Sequence, residues 1–135
     1  MRNLLAPYSD LIYSLFRFFA GLLFVFHGTQ KLFGFPGDIA PAALLTLGFF
    51  AGLIETVGGL MIAAGFFAAP AAFLASGTMA VAYFLRHAPD AFLPIINRGE
   101  LAVLYCFGFL LIAAMGSGRY SVDGLFRRGA VTVNR

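Results

Sequence analysis

Two ionisable residues interrupt long apolar runs in this 135-residue chain: Arg17 in the stretch 11–33 and Glu55 in the stretch 42–64. A charge in hydrocarbon costs about 2.5–3.5 kcal/mol on insertion scales, so such residues usually face a bundle interior and find a partner. Arg17 lies six residues from the inner end of its run, roughly 9 Å at helical rise, and Glu55 nine residues from the inner end of its own, roughly 13 Å. Each also follows a helical stripe of small residues. Gly48, Gly52, Glu55 and Gly59 form one stripe; Arg17, Gly21, Phe24, Gly28 and Lys31 form the other. Gly48 and Gly52 make a G-x-x-x-G that permits close backbone approach. The expectation is a buried Arg17–Glu55 salt bridge. It would serve either as a pin for helix register or as a relay for protons in transport or quinone chemistry.

A second constellation gathers toward the opposite rim. His27 and Lys31 are spaced i, i+4 and share a helix face. Ser76, Tyr83 and His87 line one side of the third apolar run, and Asn97, Arg98 and Glu100 open the fourth. Bases, an acid and amide donors beside aromatic rings suit a quinone head group, a small anion or a partner protein. His27, Lys31, Tyr83, His87, Asn97 and Glu100 are therefore the candidate ligand rim. The plainer readings are interfacial polarity, with long basic side chains snorkelling, and for Glu100 a favourable place at a helix N-terminus.

These residues require elements to carry them, and composition limits the choice. The chain is 61% hydrophobic and 11% charged, with a mean hydropathy of +0.90; soluble domains carry about 25% charge. So short a chain cannot hide that much apolar surface in a water-soluble core. Four spans at about 11–33, 42–64, 71–87 and 100–115 are separated by Gly- and Pro-rich breaks at 34–38, near 65–70 and at 86–99. Their lengths, and the absence of period-two alternation, predict an all-α, antiparallel four-helix transmembrane bundle as a single domain over 1–135. Arg2, Arg119, Arg127, Arg128 and Arg135 fall on one side, Lys31, Arg86 and Arg98 on the other. That asymmetry puts both termini in the cytoplasm. Arg17 and the missing A-x-A site make the first span a retained helix rather than a cleaved signal. The net charge of +3 is topological, not a nucleic-acid footprint. With Cys106 the sole cysteine, no intramolecular disulfide forms.

The chain holds no P-loop, G-x-G-x-x-G, H-E-x-x-H or nucleophile elbow, and no metal-ligand set, so an autonomous hydrolase or kinase is not expected. Arg17, Gly21, Phe26-His27-Gly28 and Lys31-Leu32-Phe33-Gly34 resemble the opening helix of the DoxX family of small membrane proteins. Gly52, Glu55, Gly58-Gly59 and Gly65 resemble its second helix. Met79, Ala82 to His87, Asn97-Arg98-Gly99-Glu100 and Leu104-Tyr105 resemble the third and fourth, and Gly116, Gly118, Ser121 and Asp123 the closing stretch. The resemblance implies a four-helix protein of a bacterial cytoplasmic membrane. Some relatives are subunits of a thiosulfate:quinone oxidoreductase, and others are linked to oxidative or thiol stress. It thus implies a membrane or accessory subunit of redox chemistry, with quinone the cofactor to consider and a soluble or membrane subunit the partner. A small-solute or proton transporter using Arg17 and Glu55, and a scaffold for a soluble partner, remain the alternatives; the oligomeric state stays open. Bis-His haem ligation by His27 and His87 is disfavoured, since there is no second His pair and no C-x-x-C-H. The purified protein is expected to show no Soret absorbance; a Soret band would restore the haem reading.

Overall fold

The computed structural model describes the backbone of residues 4–133 and the side chains of residues 4–127, and the described residues are all-helical, with no strand. A single 3-10 turn, Ala6–Tyr8, leads into α1, Ser9–Phe33. Asp10 stands in its first turn and Lys31 in its last, each matching the helix dipole. Gly34 stops it in a left-handed conformation (φ 74°), donating its N–H to Gln30 O. α2 spans Leu47–Ala64 and α3 spans Ala68–His87. α4 spans Glu100–Met115 and α5 spans Val122–Val133.

Three of these, including α1 with its lead-in turn, are long and apolar enough to cross a membrane; α4 is apolar but shorter. Their boundaries differ from expectation at two ends. The second helix starts at Leu47 rather than 42, because Leu45 takes φ 62° and the Thr46 hydroxyl caps the helix by accepting from Phe49 N–H. The third begins at Ala68 rather than 71, since Gly65 and Phe67, both at positive φ, complete the turn within three residues. Beyond the four expected helices, the chain folds into a further one, α5.

α2 and α3 each contain a π-helical turn, Ile54–Gly58 and Tyr83–His87. Such wide turns are rare and recur at functional sites. Glu55 lies in one, and Tyr83 and His87 in the other.

α1 packs along α2, and α3 packs along α4 and against the middle of α2. Small residues make this possible. A Cβ on Gly28 would stand 2.5 Å from Thr56 N, and one on Gly21 2.5 Å from Ala63 N. On α3, Ala68, Ala72, Ala75 and Met79 form the buried stripe facing α4. Phe24 of α1 fills the centre against Phe109 (ring centroids 4.6 Å) and Tyr105 (5.5 Å) of α4. Large apolar side chains cover the outside: Phe73, Leu104 and Phe107 are 69%, 70% and 65% exposed. A water-soluble monomer rarely shows contiguous apolar surface on this scale, whereas lipid solvates it. The tight α1–α2 seam carries a prediction. Gly28→Val should cost about 1–3 kcal/mol or more through overpacking, read as a lower melting temperature in mild detergent. Gly77→Ala, where a Cβ meets nothing within 4 Å, should be neutral or slightly stabilising.

Candidate functional site

The structure corrects the expected ion pair. Arg17 and Glu55 are both buried, at 2% and 0% exposure, but they do not meet. Glu55 Oε1 accepts from the Lys31 ammonium. The Arg17 guanidinium donates to the carbonyls of Ile62, Ala63 (2.7 Å) and Tyr120 (2.8 Å). The reason is register. Gly21 faces Gly59 and Ala63, and Gly28 faces Gly52 and Thr56. Glu55 is therefore level with the His27–Gly28 stretch, some ten residues beyond Arg17, or roughly 15 Å at helical rise. The inner helix ends are not flush: Arg17 stands opposite Gly65, at the end of α2. Helical side chains also lean toward their own N-terminus, which brings Lys31 and Glu55 together and carries Arg17 away.

Arg17 is thus a cap for the C-terminal end of α2, whose last carbonyls lack intrahelical partners. Its third bond, to Tyr120 O, ties in the segment before α5. Asp123 completes that junction: its N–H donates to Gly65 O (3.1 Å), and its carboxylate accepts from Phe67 N–H (3.0 Å) and the Ser117 hydroxyl.

The expected rim divides into two places. His27 and Lys31 line a groove between α2 and α3, of about 1280 Å³. Apolar side chains such as Phe50, Ile54, Phe73 and Val81 wall it, and Gln30, Thr46, Thr78 and Arg86 add polar groups that sequence reasoning passed over. No acidic side chain lines it. Glu55 sits behind the wall, reached through Lys31, whose side chain is 38% exposed. Glu55 Oε2 is buried and has no hydrogen-bond partner among the described residues. His27 stands edge-on to Tyr105 at 5.9 Å.

Tyr83, His87 and Asn97 do something else. The Asn97 amide donates to the Tyr83 hydroxyl (3.2 Å) and Ala91 O (2.6 Å), and its oxygen accepts from Gly99 N–H (2.8 Å). Tyr83 donates to Phe92 O, and His87 Nδ1 lies 3.1 Å from Asn97 O while stacking on Tyr83. Together they close the α3–α4 loop. Glu100 is exposed in the first turn of α4.

The DoxX family model matches residues 12–88. The chain belongs to the DoxX family. A relative from Haemophilus influenzae, described as an uncharacterized protein, is 36% identical over 134 residues, covering 92% of this chain and 97% of its own. No solved structure matches. The resemblance drawn from the residues is borne out, and with the apolar helices it makes this DoxX protein a membrane protein.

The pair predicts an asymmetry. Lys31→Met leaves a carboxyl in an apolar setting with no cation and should cost about 3–5 kcal/mol, the range for breaking a buried pair. Glu55→Gln leaves a lysine that can turn toward the head groups and should cost clearly less. Melting temperatures in detergent check this, with the Lys31→Met/Glu55→Gln double variant expected to recover much of the loss.

Proposed function

We propose that this DoxX protein is a quinone-binding membrane or accessory subunit of redox chemistry, holding the quinone in the α2–α3 groove. In this reading α1 to α4 form an antiparallel four-helix transmembrane bundle in a bacterial cytoplasmic membrane. Both termini are cytoplasmic, and a catalytic partner subunit supplies the electrons.

The observation that carries the reading is the make-up of the groove. It is apolar along most of its wall, with Lys31 and His27 among its few polar lining groups. A quinone is an apolar ring and tail with carbonyl acceptors. The Lys31 ammonium is a donor fixed from behind by Glu55, and the imidazole of His27 offers a second polar group. Thr78 and Gln30 add further donors to the lining. When bound, the quinone would supply two-electron carrier chemistry. The protein's part is to draw it from the lipid, orient its carbonyl at Lys31 and exclude water from the ring. An apolar site with a few convergent polar groups is the usual form of a small-molecule site. The quinone reading is preferred to a relay through an Arg17–Glu55 pair because Arg17 donates to backbone carbonyls and Glu55 pairs with Lys31.

The test uses a short-chain, water-soluble quinone titrated onto the protein in mild detergent, read by quenching of tyrosine fluorescence in a chain without tryptophan. Gly77→Phe fills the groove from a position with open space around it. It should weaken binding at least about tenfold, a change of about 1.4 kcal/mol, without lowering the melting temperature. Leu104→Phe, in the separate apolar cleft between α1 and α4, should leave binding unchanged. Equal affinity in wild type and Gly77→Phe would overturn the assignment.

A further inference from the structure

Among the described residues, the hydrogen bonds that join α5 to the membrane-spanning body lie at its start, through Asp123 to Gly65, Phe67 and Ser117. Beyond that junction its faces diverge. Val122, Leu125 and Phe126 follow spacings of three and four residues, a helical stripe. Leu125 and Phe126 are each 68% exposed. Arg127 is exposed away from that stripe, and Arg128 follows it in the sequence; Arg119, just before the helix, pairs with Asp10. Phe66, Phe67 and Met115, at the same end of the bundle, are exposed as well.

An amphipathic helix with an apolar stripe and basic residues, tethered at the level where apolar helices end, fits one surface well. We propose that α5 lies in the head-group plane of the leaflet on the terminus side, its Leu125–Phe126 face inserted among acyl chains and its arginines on anionic phosphates. Interfacial helices bind through such buried apolar area plus attraction to anionic lipid. Each basic residue near an anionic surface contributes attraction that fades within a Debye length. The positive charges of this side then serve as a lipid contact as well as a topology signal. The proposal stands apart from the quinone reading and involves none of the groove residues.

The chain has no tryptophan, so one introduced residue reports alone. Full-length Phe126→Trp and Arg127→Trp are reconstituted into vesicles of phosphatidylcholine with or without phosphatidylglycerol. In phosphatidylglycerol vesicles, Phe126→Trp should emit at shorter wavelength. Lipids brominated in the upper acyl chain should quench it several-fold more than they quench Arg127→Trp, and aqueous acrylamide should show the reverse order. Adding Arg127→Glu and Arg128→Glu to Phe126→Trp should reduce the lipid quenching several-fold. If Phe126→Trp is quenched by acrylamide as strongly as Arg127→Trp, the helix stands in water and the proposal fails. If it is shielded from both quenchers, the face is covered by protein, and the proposal fails equally.

Discussion

The Arg17 guanidinium holds three parts of the chain that would otherwise have separate fates. It stands on α1, caps the end of α2, and reaches the segment that leads into α5. Carbonyls at a helix end have no intrahelical donor, and in hydrocarbon no water replaces it. Hydrogen bonds to a charged donor are worth about 1.5–3 kcal/mol each, more than a neutral donor would supply. The fork geometry of arginine is what allows one side chain to serve three acceptors. With that end fixed, the glycine seam between α1 and α2 sets the register, and the register decides which charges meet.

Lys31 and Glu55 meet as a result of that register, and their environments are unequal. Glu55 is sealed, in a π-helical turn of α2, while Lys31 reaches the groove. A buried carboxylate thereby fixes the position of a partly accessible cation. A buried pair of this kind is weak evidence for stability, because desolvation offsets much of the attraction. Its better use is orientation: Lys31 cannot turn freely to the head groups while Glu55 holds it. The second π-helical turn, at Tyr83–His87, places the groups that close the α3–α4 loop at the C-terminal end of α3. The groove is bounded by two helices that both depart from regular geometry.

Much of this was legible in the residues. Helix class followed from apolar run length, the breaks from Gly and Pro, and the family from motifs in order. The burial of Arg17 and Glu55 was legible too, but not their partners. Depth counted from helix ends assumes those ends are flush, whereas matching Gly21 to Gly59 and Gly28 to Gly52 would have set the register directly. That match puts Arg17 at the end of α2, where carbonyls need donors, and Lys31 within reach of Glu55. The outer rim was read as one site because His27, Lys31, Tyr83, His87 and Asn97 share a depth in sequence. Depth does not fix azimuth, and the structure divides them between a groove and a loop closure. The helix α5 was missed because its apolar stripe, Val122, Leu125 and Phe126, is too short to stand out as a fifth element.

The proposed site holds a quinone ring between α2 and α3 with its carbonyl toward Lys31. Photolabelling in native membranes with an azido-quinone, followed by peptide mapping, tests it most directly. Adducts are expected in the α3 stretch from Phe73 to Leu85 and near His27–Lys31, competed away by unlabelled quinone. Saturable labelling confined to the α1–α4 cleft around Leu15 and Leu104, or labelling that unlabelled quinone does not displace, would contradict it.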